Sequence, residues 1–301
     1  MSFATLSIDW EDFGQLYGMY HYGDITEPVG GAIERQTAIM LEMLGKRNVK
    51  ATFFILGMLA RARPALVKAI REAGHEIALH GQNHRAMFTL SPKAAEADLR
   101  ENYDVVSQIT GEKVFGYRAP FFSINETNLY VLEILADLGL TYDSSIFPKK
   151  MSRYGIAGFS ESDCLYSLPG GKELVELPLT LAHYYGKQWP VSGGGYIRLM
   201  PKPLVDKVFN DLRQSNRGSM IYMHPYEFDT QKISVASNYP PGESRKTVKV
   251  HALNLRWNIF RNSVVRKIES LLDSHQFITC LEKADNVKKN GIRAELLGCT
   301  Q

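Results

Sequence analysis

Short apolar runs alternate with amphipathic stretches along most of this chain. Phe3 to Asp9, Val49 to Leu56, His75 to His80, Val114 to Tyr117 and Leu140 to Asp143 read as strands. Between them, Ile33 to Gly45 carries a helical apolar face of Ile33, Met40, Leu41, Met43 and Leu44. Pro64 to Ala73 reads as a helix, with Pro in its first turn and Gly74 beyond its end. Ser91 caps a long helix that has Pro92 at its first position, runs to about Thr110 and stops at Gly111. Asn125 caps another, with Leu129, Leu132, Ile134 and Leu135 on its apolar face and Gly139 at its end. Further on, Glu173 to Leu179 is expected as a sixth strand and Pro201 to Ser215 as a helix. Ser219 to His224 is expected as a strand, and Gln276 to Leu281 as the last one.

Strands separated by helices of this length predict parallel βαβ units, closed into a barrel or laid out as a doubly wound sheet. The polar candidates follow strands, at their C-terminal ends. In either α/β architecture that is the active-site face. Segments 144–172 and 226–250 are connections long enough to be functional. No internal repeat or low-complexity stretch interrupts the pattern.

Composition adds exclusions. With 301 residues, 45% hydrophobic, the chain can bury a substantial core. A net charge of +3 argues against nucleic-acid binding through a broad basic surface. Cys164, Cys280 and Cys299 are odd in number and match no zinc spacing, so reduced thiols in a cytosolic protein are expected. The first residues lack a basic, apolar leader, and no apolar run approaches the roughly 18 residues of a membrane span. A cytoplasmic protein is the expectation.

The candidate chemistry begins with His80 and His84 in Leu79-His80-Gly81-Gln82-Asn83-His84, and with the acidic turn Asp9-Trp10-Glu11-Asp12. Two imidazoles and one carboxylate suit a divalent metal and leave a coordination position for water. Strand alternation puts Asp9 and Glu11 on one face and Asp12 on the other. Arg118, just past a strand, suits pairing with a carboxylate. Asp143 and His224 also follow strands, and an Asp beside a His makes a usable general acid. Taken singly, each has an ordinary explanation as a solvated loop, a helix cap or a structural ion pair. Five polar segments all placed after strands argue together for one site.

These segments, in this order, resemble the polysaccharide deacetylase family with the NodB homology domain, also called carbohydrate esterase family 4. The resemblance runs over about residues 3–282 and leaves 283–301 as a tail of a single domain. The branch it most resembles, associated with bacterial surface-polysaccharide biosynthesis, typically carries Asp-x-Glu-Asp-aromatic, His-Gly-x-x-His and Arg-Ala-Pro motifs. It also has a Gly-Gly-Gly-Tyr-x-Arg run, here Gly193 to Arg198. The resemblance implies a distorted (β/α)7-type barrel with long active-site loops, and removal of an acetyl group, most often N-linked, from a sugar.

It further implies Asp9 as catalytic base, Arg118 as the arginine that positions it, and the Phe121 amide as oxyanion donor. Asp143 and His224 match the pair that supplies the general acid. His80 and His84 match the metal histidines. The third ligand is Asp12 by residue type or Glu11 by spacing, with Asp12 favoured. Zinc is the implied cation, with nickel or cobalt as alternatives. Trp10, Tyr196 and Trp189 are candidate sugar-stacking residues, each also readable as core packing.

The chain departs from the common pattern around Gly81 and Gln82, where many members carry Ser or Thr. At Tyr222 many have the Leu of an acyl pocket, so a small acyl group is expected here. The expected partner is an acetylated saccharide, with no nucleic acid; a homo-oligomer is left open. Alternatives are a hydrolase of a non-sugar amide, of the allantoinase-like branch, and an inactive carbohydrate-binding protein on the same fold. The basic tract Arg245 to Lys249 reads as a solvated loop or as a contact for phosphate or a membrane surface.

Overall fold

The computed structural model describes residues 3–22, 32–235 and 247–295, with side chains at 3–18, 32–235 and 250–295. The N-terminal part alternates β1 (Ala4–Trp10), α1 (Phe13–Tyr22), α2 (Ala32–Lys46), β2 (Thr52–Ile55), α3 (Gly57–Ala62), α4 (Pro64–Glu72), β3 (Glu76–Leu79), α5 (Pro92–Thr110), β4 (Gly116–Tyr117), α6 (Tyr130–Asp137) and β5 (Tyr142–Asp143). Then follow β6 (Cys164–Leu168), β7 (Lys172–Glu176), β8 (Leu181–Tyr184), β9 (Lys187–Pro190), α7 (Gly194–Leu199), α8 (Lys202–Gln214) and β10 (Ser219–Met223). The chain ends through α9 (Pro225–Phe228), α10 (Thr247–Asn258), α11 (Val264–Ser274), α12 (Cys280–Asn290) and β11 (Ile292–Glu295).

One mostly parallel sheet runs in the order β10-β1-β2-β3-β4-β5-β7-β6-β11; only the β6–β7 pairing in it is antiparallel. The expected α/β class with parallel βαβ units therefore holds. A separate antiparallel hairpin joins β8 to β9.

Alternation along the central strands sorts side chains into two layers. In β1, Leu6, Ile8 and Trp10 enter the large core beneath the helices, while Ser7 and Asp9 face the other way. In β2, Phe53 and Ile55 join that core, and Phe54 enters a second cluster with Ala78, Tyr142, Val175, Leu177 and Met220. Both faces of β1 are buried, as expected of a strand inside a parallel sheet. The inner layer ends in polar residues where the strands end, and this places the site.

Local signals explain most element boundaries. The Ser91 hydroxyl accepts the Ala94 amide at the start of α5, and Gly111 ends that helix at φ 71°. Three expectations need correction. Asn125 caps a turn at Thr127, and the helix begins later, at Tyr130. In the expected strand 276–281, Phe277 makes a bridge to Ala4, but Thr279 and Glu282 form a reciprocal capping box that starts α12 at Cys280. The supposed tail after 282 continues α12 and adds β11 alongside β6. The tract 245–249 lies outside the residues whose side chains are described.

Candidate metal centre and active site

β1 ends in a tight turn, where the Glu11 amide donates to the Asp9 carbonyl at 3.0 Å. The turn keeps Glu11 at the sheet's C-terminal edge, beside the loop after β3. Glu11, His80 and His84 are all buried, and one ligand atom from each lies within 4.8 Å of the others. The His84 Nε2 meets a Glu11 carboxylate oxygen directly. His80 Nδ1 lies 2.8 Å from the Arg118 carbonyl, which fixes that ring with Nε2 turned to the cluster. His84 Nδ1 is buried with no hydrogen-bond partner.

The loop that carries the histidines is itself anchored. Gly81 and His84 adopt left-handed backbone conformations, at φ 78° and 51°. For a non-glycine such as His84 this stores strain of the kind that clusters at functional sites. Asp98 of α5 holds the loop by accepting the Gln82 amide at 2.8 Å. Gln82 packs its side chain against Gly57, where a Cβ would fall 1.9 Å from its Oε1.

Asp12, the carboxylate favoured for the metal, is not in the cluster. It caps α1, with Oδ1 accepting the Gly14 amide at 3.0 Å. Burial and the nearby charges of Glu34 and Glu11 push its carboxyl up. Glu11 behaves oppositely. Burial alone would raise it, but His84, His224 and His80 hold it below its ordinary value. Burial keeps the His80 imidazole low, against the pull of Asp9 and Glu11. An ionised carboxylate and a neutral imidazole are the protonation states a metal needs. The donor set fits a divalent cation held by Glu11, His80 and His84.

Asp9 lies beside this cluster and pairs with Arg118, Oδ1 to Nη1 at 2.8 Å. Arg118 is wholly buried. Its other bonds go to Ser7 Oγ (2.8 Å), Ser144 O (3.1 Å) and Ser144 Oγ (3.0 Å), and its guanidinium lies 4.1 Å over the Phe54 ring. Burial would raise Asp9; Arg118, with His80 and His224, overcomes this and holds the carboxyl below its ordinary range.

The expected pairing of Asp143 with His224 is not present. His224 sits between two other carboxylates: Nε2 is 3.3 Å from Glu11 Oε1, and Nδ1 is 3.4 Å from Glu227 Oε2. Burial would lower this imidazole, but Glu227, then Glu11 and Asp9, push it up to about 9. The signal for Glu227 was present: His-Pro-x-Glu is a capping pattern with proline at the first helical position, and it forms α9. Asp143 is turned elsewhere. It accepts the Ser145 amide (3.0 Å) and hydroxyl (2.6 Å) and faces Glu176. Ser145 Oγ in turn accepts the Ala119 amide at 2.7 Å, which fixes the start of the loop bearing Phe121.

Asp9, Glu11, His80, His84 and His224 open together into a cavity of about 640 Å3, walled by Phe121, Tyr154, Tyr222, Tyr226 and Trp257. Phe121 has φ 58° and sets its ring edge-on to His84, centroids 4.7 Å apart. Trp10 is not in the cavity. Alternation carries it into the helix-side core, fully buried, with Nε1 donating to Thr37 at 3.0 Å. Trp189 stands half exposed on the β8–β9 hairpin, outside the cavity lining. Tyr196 approaches only through its hydroxyl, 3.5 Å from that of Tyr154. The glycine run has a steric role: a Cβ at Gly193 would fall 2.5 Å from the Tyr222 ring, and one at Gly194 would fall 2.0 Å from Glu227 Oε2. Both cavity residues are thus seated against bare backbone.

Residues 26–142 match the polysaccharide deacetylase family model, and residues 144–284 match a domain of unknown function, DUF3473. The chain is 30% identical over 131 residues to a peptidoglycan deacetylase of Helicobacter pylori, covering 43% of either protein. It is 29% identical over 136 residues to a chitooligosaccharide deacetylase of Sinorhizobium fredii, covering 44% of this chain and 62% of the relative. The chain therefore spans less than two thirds of these curated relatives. In fold it is similar to a putative polysaccharide deacetylase from Mycobacterium smegmatis, with TM-score 0.61 and 18% identity over 100% of this chain and 96% of the other. It is also similar to the PuuE allantoinase, with TM-score 0.57 and 15% identity over 95% and 89%. No described helix is long and apolar enough to cross a membrane.

Proposed function

We propose, from the polysaccharide deacetylase domain this chain carries, that it is a divalent-metal-dependent hydrolase removing an N-linked acetyl group from a sugar residue of a polysaccharide or of its biosynthetic intermediate. The observation that carries this reading is the buried Glu11–His80–His84 cluster, opening into the same cavity as an arginine-paired Asp9 and a carboxylate-flanked His224. Two imidazoles and a carboxylate make zinc the default, with nickel or cobalt compatible. When bound, such a cation would polarise the acyl carbonyl and acidify water.

The chain's own residues supply the proton transfers. Asp9, ionised and oriented by Arg118, takes the proton of the attacking water. The Phe121 amide is the oxyanion donor in this reading, a contribution of roughly 3–4 kcal/mol for one well-placed donor. His224, charged through Glu227, gives its proton to the departing amine nitrogen. The products are acetate and a free amino sugar. Tyr222 restricts the acyl side to a small group, and the aromatic walls offer flat faces for a sugar ring.

The test is acetate release from N-acetylated oligosaccharides by metal-loaded protein. Activity should vanish on chelation and return with a divalent cation. His80→Ala should lose both the metal and at least 1,000-fold in turnover, on the order expected when a catalytic group fails. Full activity in metal-free protein would refute the reading.

A further inference from the structure

The Gly-Gly-Gly-Tyr-x-Arg run points in two directions. Gly195 borders the cavity, but Arg198, near the other end of α7, lines a second pocket of about 460 Å3 against Phe260 and α11. The pocket's charged groups are all cationic: Arg198, Lys202, Arg266 and Lys267. Among the described residues, Lys202 alone of these has an ion-pair partner, Asp206.

Arg198 is 9% exposed and gives Nη1 to the Trp257 carbonyl at 3.0 Å, while its Nε is buried with no partner. Lys267, 5% exposed, donates to the Ile197 and Arg198 carbonyls at 3.0 and 2.9 Å. An ammonium has three donors, so one remains. Arg266 stands exposed at the rim. Buried cations without anionic partners are costly, and an orphan guanidinium N–H adds to that cost. An anion seated here would relieve both.

We propose that this pocket binds a phosphate-type oxyanion carried on an apolar tail. Arg198, Arg266 and Lys267 all line the pocket, a cationic set that suits a multiply charged oxyanion, and the arginine fork favours phosphate. The tail is called for by the remaining walls. Phe260 and Leu199 are 61% and 57% exposed, and they flank the cations without any covering element among the described residues. A free inorganic ion would leave that apolar surface in water. This inference concerns a site separate from the cluster at Glu11 and does not depend on the proposed reaction.

The experiment is calorimetric titration of the full chain with dodecyl phosphate below its micelle concentration. Inorganic phosphate and an uncharged dodecyl ether of hexaethylene glycol are the comparison ligands. Dodecyl phosphate should bind one to one, at least tenfold more tightly than either. Arg266→Ser, at a surface position, should weaken it about tenfold, and Phe260→Ser should weaken it while leaving the weak inorganic phosphate signal unchanged. Lys267→Met, if it folds, should abolish binding. Phosphate captured by the metal cluster would be indifferent to Arg266, and that result overturns the proposal. Equal binding of the uncharged ether, equal binding of inorganic phosphate, or no saturable binding overturns it as well.

Discussion

Two pairs of buried carboxyls flank Arg118 and are held in opposite states. Asp9 and Glu11 face the cavity and are kept ionised; Asp143 and Glu176 lie behind it and are pushed up. Burial raises all four, so burial does not decide the difference. The neighbours do. Asp9 has Arg118, and Glu11 has three imidazoles. Asp143 and Glu176 chiefly have each other: on top of burial, the Asp143 charge and the hydrogen bond to it push Glu176 well above its ordinary value. A carboxylate after a strand is thus a reactive group on one side of the arginine and a structural clamp on the other.

Exchanging the roles within the acidic turn should give the largest effect. Glu11→Ala should weaken metal binding more than about 100-fold, beyond what loss of an outer-shell partner costs. Asp12→Ala should leave metal content intact and cost about 1 kcal/mol of stability, the ordinary value of a lost helix cap. Metal analysis and thermal melts of the two variants decide this; the reverse outcome would move the ligand to Asp12. Next in size is Asp9→Asn. It should retain the metal and lose roughly 100- to 10,000-fold in kcat, the range for a positioned base. Loss of metal instead would place Asp9 in the coordination shell.

The clamp should respond to shape more than to charge. Glu176 accepts the Ile146 amide at 3.0 Å, and its partner Asp143 holds Ser145. Glu176→Gln preserves a donor toward Asp143 and an acceptor for Ile146, and should keep kcat within a few-fold. Glu176→Ala leaves buried groups unpaired and should cost about 1–3 kcal/mol. Denaturant midpoints and steady-state rates separate the two. A Gln variant as inactive as Asp9→Asn would mean that the Glu176 carboxyl itself reacts.

Much of this was legible in the sequence where one local rule sufficed. β1, β2, β3 and α5 follow from apolar period and caps, and alternation alone puts Glu11 on the face of Asp9. The sequence misleads where residue type competes with geometry. Asp12 had the expected chemistry but the capping position, and Trp10 had a stacking ring on the core face. Asp143 ends a strand, but its partner Glu176 comes from β7, whose approach the sequence does not encode locally; the partner of His224, Glu227, was legible in the His-Pro-x-Glu cap three residues on. The β8–β9 hairpin also has a local signal: Tyr185-Gly186, both at positive φ, form the turn.

The same contrast extends to a buried base, where the effect should be the smallest. His75 lies beyond the site. Its Nδ1 accepts the Ala51 amide at 3.2 Å, and its ring packs on Phe53. Burial, with Lys50 adding a like charge, lowers its pKa to about 4 from 6.5. The unfolded chain therefore takes up a proton at His75 as pH falls through 6.5, while the folded chain stays neutral until about 4. Stability from this group is complete above pH 6.5 and is lost as pH falls toward 4, by at most about 1.4 kcal/mol per pH unit. His75→Asn keeps an acceptor for Ala51 but cannot titrate, so its melting temperature should fall less between pH 7 and 5 than that of the parent protein. Parallel curves would show that His75 is charged in the fold, and that burial beside Lys50 does not set its state.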